Sequence, residues 1–309
     1  MSQQQLERLM QSFKSFPYKP DQTVEEMRRD YEQLCHSPMP DYIRAEAANA
    51  CGVEAEWLTT SEVDDDRTIL YLHSGGYVMG NIATHCELAG RISRAARARV
   101  LIIDYRRAPE HPFPAALEDS TAAYRWMLKS GVDSSRFAVI GDSAGGGLAV
   151  AMLVAIKDAR LAMPAVAVCL SPWVDLELTG VSMTSNAPVD HLVRKEEIAG
   201  HAKRYLGGKD PRTPLASPLY ADLSGLPPML IQVGSAEILL DDAKRLAERA
   251  RSAGVKVTLE IGEGMMHVWS SFASVLDEGQ QAIDRIGEFI QRPYRDQRLR
   301  RLRWPDLTT

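Results

Sequence analysis

Short apolar runs alternate with longer helical stretches from about residue 54 onward, and this rhythm limits the possible folds more than any other feature of the sequence. The runs lack polar alternation, which is typical of strands that are buried on both faces. Because strands that alternate with helices form a parallel sheet covered on both sides, the sequence predicts an α/β fold with a mostly parallel central sheet. The predicted strands are Thr68–Leu72, Val100–Tyr105, Phe137–Ile140, Ala165–Leu170, Met229–Val233 and Val255–Ile261, and the predicted helices cover about 84–98, 114–130, 144–158 and 241–253.

Residues 1–50 are predicted to form a helical cap segment in front of a main domain at 51–291. Apolar side chains between Leu6 and Phe13 recur at helical spacing. The segment from Thr23 to Glu26 has the pattern of a capping box, at which a second helix is expected to begin. This periodicity is compatible with two helices that simply pack on the main domain and with a lid over a pocket.

Two further segments depart from the alternation of strands and helices. The stretch from Ser171 to Pro227 contains no clear strand and one helical region near 190–206. An interval this long inside a compact domain usually carries function, so a cap insertion is predicted at about 176–214. The end of the chain, 292–309, carries six arginines and is predicted to be a basic tail that is solvated or locally docked rather than bound to an acidic partner.

Composition and charge exclude several classes of protein. Lys and Arg number 36 against 41 Asp and Glu, a net charge of −5 that does not suit a general nucleic-acid binder. No apolar run is long enough for a membrane span, and the first ten residues lack a secretory pattern, so a cytoplasmic location is expected. Since the four cysteines lack CxxC spacing, we expect free thiols and neither a metal site nor a disulfide framework. These cysteines are Cys35, Cys51, Cys86 and Cys169.

A glycine-rich pentad, Gly141-Asp142-Ser143-Ala144-Gly145, directly follows one predicted strand and directly precedes a helical run. This context predicts a nucleophile elbow, in which Ser143 occupies a sharp turn with positive φ and needs small neighbours. A phosphate-binding turn is the alternative, but neither GxGxxG nor GxxxxGK[ST] is present.

A second glycine-rich turn, from His73 to Tyr77, also follows an apolar strand. Enzymes with a nucleophile elbow bind the oxyanion with one amide from an earlier loop and one from the residue after the serine. Gly75 and Gly76 are therefore predicted to donate beside Ala144.

A serine nucleophile of this kind requires a histidine base and an acid that follow it in the chain. Three histidines follow Ser143, and His267 is predicted as the base because it lies in a loop after a strand. His191 and His201 fall in the predicted insertion. The acid is left open among carboxylates near strand ends: Glu237, Asp241, Asp242 and Asp175.

With these residues in place, the chain resembles the hormone-sensitive-lipase family of α/β-hydrolases, in particular its bacterial esterases. The resemblance covers about residues 65–290 and rests on four motifs. It implies that Glu237 is the acid, because the segment from Glu237 to Asp242 matches the family's acid-bearing segment. Ser74 stands where the family has the first glycine of His-Gly-Gly-Gly, and the oxyanion hole is expected to survive this change. The motifs run from His73 to Tyr77, from Asp104 to Pro114, from Gly141 to Gly146, and over Ser217-Pro218.

The resemblance implies a serine carboxylester hydrolase that acts on short-to-medium acyl esters through an acyl-enzyme, without a metal or an organic cofactor. Tyr77 and Asp142 are assigned to the substrate pocket, and His73 to support of its loop. The strand from Lys256 to Ile261 is expected at a sheet edge, where a homodimer could form. Lactone, carbamate or amide hydrolysis by the same residues, and a non-catalytic binding module, remain as alternatives.

Overall fold

The computed structural model describes residues 2–14, 19, 21–35, 37–64 and 66–303, with side chains up to residue 293. The described residues form an eight-stranded, mostly parallel sheet, which confirms the predicted α/β fold. All six predicted strands are present, within about two residues at each end. The strands are β1 (Arg44–Ala50), β2 (Val53–Thr59), β3 (Thr68–Leu72), β4 (Arg99–Asp104), β5 (Phe137–Asp142), β6 (Val166–Leu170), β7 (Met229–Gly234) and β8 (Val257–Gly262).

The strand order is β1-β2-β4-β3-β5-β6-β7-β8. Strands β3 to β8 run parallel to one another, whereas β2 pairs antiparallel with both β1 and β4. The parallel strands therefore present their carboxyl ends at one edge of the sheet. Ligands of open α/β sheets bind outside these ends.

The antiparallel hairpin of β1 and β2 corrects the prediction that the first fifty residues are helical throughout. Cys51 and Gly52 connect the two strands with φ angles of 61° and 93°. Positive φ at both central residues is typical of a type I′ turn, which matches the twist of a hairpin. Since β1 is mostly exposed and consists of alanines and three polar residues, its sequence does not resemble a buried strand.

Helices cover both faces of the sheet and enclose two buried clusters. Tyr124, Leu148 and Leu246 belong to the cluster on one face, and Ile92 and Ile286 to the cluster on the other. The four predicted helices of the main domain are present, as is the helix near 190–206. The helices are α1 (Ser2–Lys14), α2 (Val24–Cys35), α3 (Ile82–Ala96), α4 (Ala115–Lys129), α5 (Ala144–Asp158), α6 (Ser182–Ser185), α7 (Lys195–Leu206), α8 (Leu240–Ser252) and α9 (Asp277–Arg303).

The two N-terminal helices lie against the main domain. The predicted capping box starts α2, because the amide of Glu26 donates to Oγ1 of Thr23 over 3.2 Å and Glu26 accepts the Thr23 amide over 2.8 Å. Phe13 of α1 packs edge-on against Phe272, with ring centroids 5.3 Å apart. It belongs to a buried cluster that also contains Met266.

Helix α9 continues to Arg303, so the basic segment predicted to follow the last helix is helical over much of its length. Residues 304–309 of the predicted tail lie outside the described residues. No helix in the described ranges combines the length and the apolarity needed to cross a bilayer. The four cysteines, all within these ranges, carry free thiols.

Candidate active site

Ser143 lies in the turn between β5 and α5, with φ 50° and ψ −117°. Such a conformation is strained for a residue with a side chain and indicates a functional constraint. A Cβ atom on Gly145 would overlap the carbonyl oxygen of Leu72, and one on Gly141 would overlap that of Gly145. The turn therefore requires glycine on both sides of a partly exposed serine.

Glu237 and His267 are hydrogen-bonded in loops that follow neighbouring strands. Oε2 of Glu237 lies 2.5 Å from Nδ1 of His267. The other carboxylate oxygen, Oε1, accepts the amide of Gly234 over 2.6 Å. Glu237 is fully buried, so its carboxylate has a fixed orientation toward the imidazole.

The charge of Glu237 controls the protonation of His267. Burial of the imidazole disfavours its charged form, but the nearby carboxylate and its hydrogen bond outweigh burial and raise the pKa of His267. A histidine held in this way is oriented by one ring nitrogen and leaves Nε2 for chemistry.

The segment after β6 links the serine turn to the histidine loop. The amide of Ser143 donates to the Leu170 carbonyl over 2.8 Å, and the Trp173 amide donates to the Ser143 carbonyl over 2.9 Å. Between these positions, the hydroxyl of Ser171 donates to Oε1 of Glu237 over 2.7 Å and accepts the amide of Val268 over 3.0 Å. One short segment thus positions the nucleophile turn, the acid and the loop of the base.

Ser171 is a residue that no sequence motif singles out. Its signal is its place at the carboxyl end of the strand next to that of Ser143. Asn186 and Asp190 of the insertion are two more residues that the sequence did not point to, and both bond to the loop that carries Glu237. Asn186 donates to the Glu237 carbonyl over 2.9 Å, and Asp190 accepts the amide of Ile238 over 2.8 Å.

The other candidate acids face different partners. Asp175 and Asp242 are fully buried and both pair with Arg245, at 2.9 and 3.0 Å. Asp241 accepts a backbone amide of the insertion over 2.9 Å. The structure brings Glu237, rather than any of these three, to His267.

The loop predicted to bind the oxyanion lies beside the turn of Ser143. Gly75 and Gly76 have φ angles of 113° and 61°, which favour glycine. In the part of the chain that the structure describes, the amides of Gly75, Gly76 and Ala144 donate to no protein acceptor. Since Ala144 also begins α5, the positive end of the helix dipole faces the same place.

His201 of the insertion covers this loop. A Cβ atom on Gly76 would overlap Nδ1 of His201, so the imidazole packs directly on the glycine. Burial and nearby Arg204 lower the pKa of His201 to about 4, which leaves the ring neutral. The other histidine of the insertion, His191, is half-buried.

Tyr77 and Asp142 are each about 1% exposed, so they lie behind the site loops rather than on an open surface. The ring of Tyr77 stacks on Tyr205 at a centroid distance of 3.7 Å. Asp142 accepts the Tyr71 hydroxyl over 2.8 Å. His73 stacks on a neighbouring tyrosine and contacts the Ser74 carbonyl through Nδ1 over 2.7 Å, which suits its predicted support of the loop.

The described residues contain no group of three or more His, Cys, Asp or Glu arranged to hold a metal ion. The arrangement offers a partly exposed hydroxyl on a strained turn, an oriented imidazole and amides that have no acceptor among the described residues. These are the components of nucleophilic acyl transfer.

Comparison with known proteins agrees with this geometry. Residues 69–271 match a family model described as an alpha/beta hydrolase fold. The chain is 49% identical to an acetyl-hydrolase from Streptomyces hygroscopicus over 77% of this chain and 79% of that protein. It is 34% identical to an esterase from Acinetobacter venetianus over 85% of this chain and 87% of that protein.

Solved structures show the same similarity over nearly the whole chain. An esterase from the bacterial hormone-sensitive lipase family is 51% identical with a TM-score of 0.90, covering 94% of this chain and 98% of that one. A second solved structure, EstE5, described as soaked with p-nitrophenyl butyrate, is 44% identical with a TM-score of 0.91 at the same coverage.

Proposed function

This chain belongs to the bacterial hormone-sensitive-lipase family of α/β-hydrolases and is a carboxylester hydrolase, and from that premise we propose that Ser143, His267 and Glu237 form its catalytic triad. The observation that carries this proposal is the hydrogen-bonded pair of Glu237 and His267, joined through the segment after β6 to the turn of Ser143.

In the proposed mechanism, His267 removes the proton of Ser143 as the hydroxyl oxygen attacks the ester carbonyl. The carbonyl oxygen becomes an oxyanion that accepts hydrogen bonds from the amides of Gly75, Gly76 and Ala144. His267 then protonates the alcohol oxygen, the carbon–oxygen bond of the ester breaks, and the acyl group stays on the serine. Water, deprotonated by His267, attacks the acyl carbon. The bond between this carbon and the oxygen of Ser143 then breaks, His267 returns the proton to Ser143, and the carboxylic acid is released.

Glu237 stabilises the imidazolium that forms twice in this cycle. Its negative charge and hydrogen bond raise the pKa of His267, so proton transfer from the serine becomes easier. Burial of the carboxylate strengthens this effect, because charges interact more strongly where water is excluded.

We propose that the substrates carry short-to-medium acyl chains. The support comes from two relatives, one named an acetyl-hydrolase and one whose crystal was soaked with p-nitrophenyl butyrate. Helices α1 and α2 and the insertion at about 176–214 are proposed to form the cap that limits the acyl site. Apolar side chains of α1 pack beside Met266, the residue before the base, and this contact supports the proposed role of α1 in the cap.

A homodimer through β8 is also proposed. This strand ends the order of the described sheet, and Ile261 on it is 46% exposed. Light scattering after size-exclusion chromatography should give a molar mass twice that of one chain. Ile261→Lys should lower the measured mass to that of a single chain. A wild-type monomer at micromolar concentration would reject the dimer.

Replacement of the nucleophile tests the triad directly. Ser143→Ala should lower kcat for p-nitrophenyl butyrate by roughly 10⁵–10⁶ and abolish covalent labelling by a fluorophosphonate, because the acyl group then has no acceptor. Ser252→Ala, which removes an exposed hydroxyl on α8, should leave both unchanged. Near-normal turnover by a folded Ser143→Ala protein would reject the mechanism.

A further inference from the structure

Ser74 has a hydroxyl at the position where the family has glycine, immediately before the loop glycines. Its side chain is buried and has partners on two helices. Oγ of Ser74 lies 2.7 Å from the hydroxyl of Tyr31 on α2 and 2.7 Å from Nε2 of His85 on α3. A glycine at position 74 has no hydroxyl and could make neither contact, so this part of the loop is held by hydrogen bonds that require the serine side chain.

The bonds continue from His85 to the nucleophile strand. Nδ1 of His85 contacts the Thr84 hydroxyl over 2.7 Å, and Nε2 lies 3.5 Å from Oδ2 of Asp142. Burial alone would raise the pKa of Asp142, but His85 and hydrogen-bonding hydroxyls lower it, so this carboxylate stays charged. Because Asp142 directly precedes Ser143, one network reaches from α2 to the elbow.

Helix α2 contacts the same loop at a second place. Nε of Arg28 donates to the Val78 carbonyl over 2.9 Å, and a terminal nitrogen of Arg28 donates to the Ala108 carbonyl over 3.1 Å. Helix α2 therefore contacts the loop on both sides of Gly75 and Gly76, through Tyr31 before them and through Arg28 after them. Glycines lack intrinsic backbone stiffness, so an external restraint is what fixes the direction of their amides.

We propose that the hydroxyl of Ser74 is a positioning group that, through Tyr31, makes helix α2 part of the support of the oxyanion loop. This inference rests on the proposed function, because it takes the amides of Gly75 and Gly76 as oxyanion donors. Oxyanion donors act only when they are held at the right place before the reaction. Loss of the Tyr31–Ser74 bond should thus reduce the chemical step more than substrate binding.

The test is a double-mutant cycle with Tyr31→Phe, Ser74→Ala and the double variant, assayed with p-nitrophenyl butyrate. Each single variant should lower kcat about tenfold while KM changes by less than about twofold, as expected for one lost hydrogen bond felt in the transition state. The double variant should be no slower than the slower single variant, because both changes remove the same contact. Tyr42→Phe and Ser252→Ala, at exposed positions, serve as matched controls and should keep wild-type kcat.

Three results would overturn the proposal: unchanged kcat in folded Tyr31→Phe, losses that add in the double variant, or an effect on KM alone. A lower melting temperature with unchanged kcat would show a purely structural role and would also overturn it. If Ser74→Ala does not fold, the kcat and KM of Tyr31→Phe are sufficient to test the proposal. Ser143→Ala in the same assay separates the proposed triad from the proposed role of Ser74. An inactive Ser143→Ala protein supports the triad whatever the result of the double-mutant cycle.

Discussion

The hydroxyl of Ser171 donates to Oε1 of Glu237 over 2.7 Å, on the carboxylate oxygen opposite the one that faces His267. The same hydroxyl accepts the amide of Val268, the residue after the base. Ser171 thus fixes the acid and the backbone of the base at once, although it touches neither the nucleophile nor the reacting atoms in the proposed mechanism.

Ser171→Ala should lower kcat by about tenfold and destabilise the fold by about 1–3 kcal/mol. The change leaves the buried amide of Val268 without its acceptor and the carboxylate of Glu237 without one donor. Urea unfolding and steady-state kinetics measure the two effects, with Ser252→Ala as the control. Wild-type kcat in Ser171→Ala would show that the proposed acid keeps its orientation without the serine.

Glu237→Gln should lower kcat by about 10³–10⁴, because an amide at this position cannot stabilise the imidazolium. Asp241→Asn, four residues further on, should cost less than about threefold, since Asp241 bonds to the insertion instead. The two variants are to be compared in one ester assay after both are shown to be folded. A larger loss for Asp241→Asn would move the acid assignment to that residue.

The kcat/KM of the wild type should rise with pH through a pKa above the ordinary histidine value of about 6.5. The base must be neutral to accept a proton, and Glu237 raises the pKa of His267, so activity is lost on the acid side of that raised value. In Glu237→Gln the negative charge is gone, and the acid limb of the residual activity should move to lower pH. If the acid limb of the variant's pH profile stays at the same pH or moves to higher pH, the coupling between Glu237 and His267 is contradicted.

Gly145→Ala should destabilise the protein by about 3 kcal/mol or more, because the added methyl group would overlap backbone carbonyl oxygens of the neighbouring strand end. Gly200→Ala is the matched change in a second helix, α7, where the methyl group would meet only the end of the Arg204 side chain. This control should be neutral or slightly stabilising, since alanine favours helix. Equal urea midpoints for both variants would contradict the tight packing of the elbow.

The sequence predicts the parallel strands well for a physical reason. A strand buried on both faces, such as β5 or β6, is a continuous apolar run between turn residues, and the pattern is visible without tertiary information. The hairpin of β1 and β2 was not predicted, because its exposed residues alternate alanine with polar side chains and resemble a helix. Its clearest signal is the Cys51-Gly52 turn.

The candidate site also contains residues that the sequence predicts and residues that it does not. Ser143, Gly75 and Gly76 could be predicted because each lies in a glycine-rich turn after a strand. Contacts between distant side chains carry no local signal: Tyr31 meets Ser74 across 43 positions of the chain. Spacing alone left several carboxylates near one strand end. The family resemblance selected Glu237 among them, and in the structure this is the carboxylate that touches His267.

The packing of α1 has a consequence for how the chain is made. Gln5 and Asp277 exchange hydrogen bonds across 272 positions, and Phe13 is covered by Phe272. On a ribosome, α1 is synthesised more than 250 residues before these partners, so its apolar face lacks their cover until they have been made. Helix α1 thus docks late, and premature termination before residue 265 leaves this face exposed to aggregation or to chaperones.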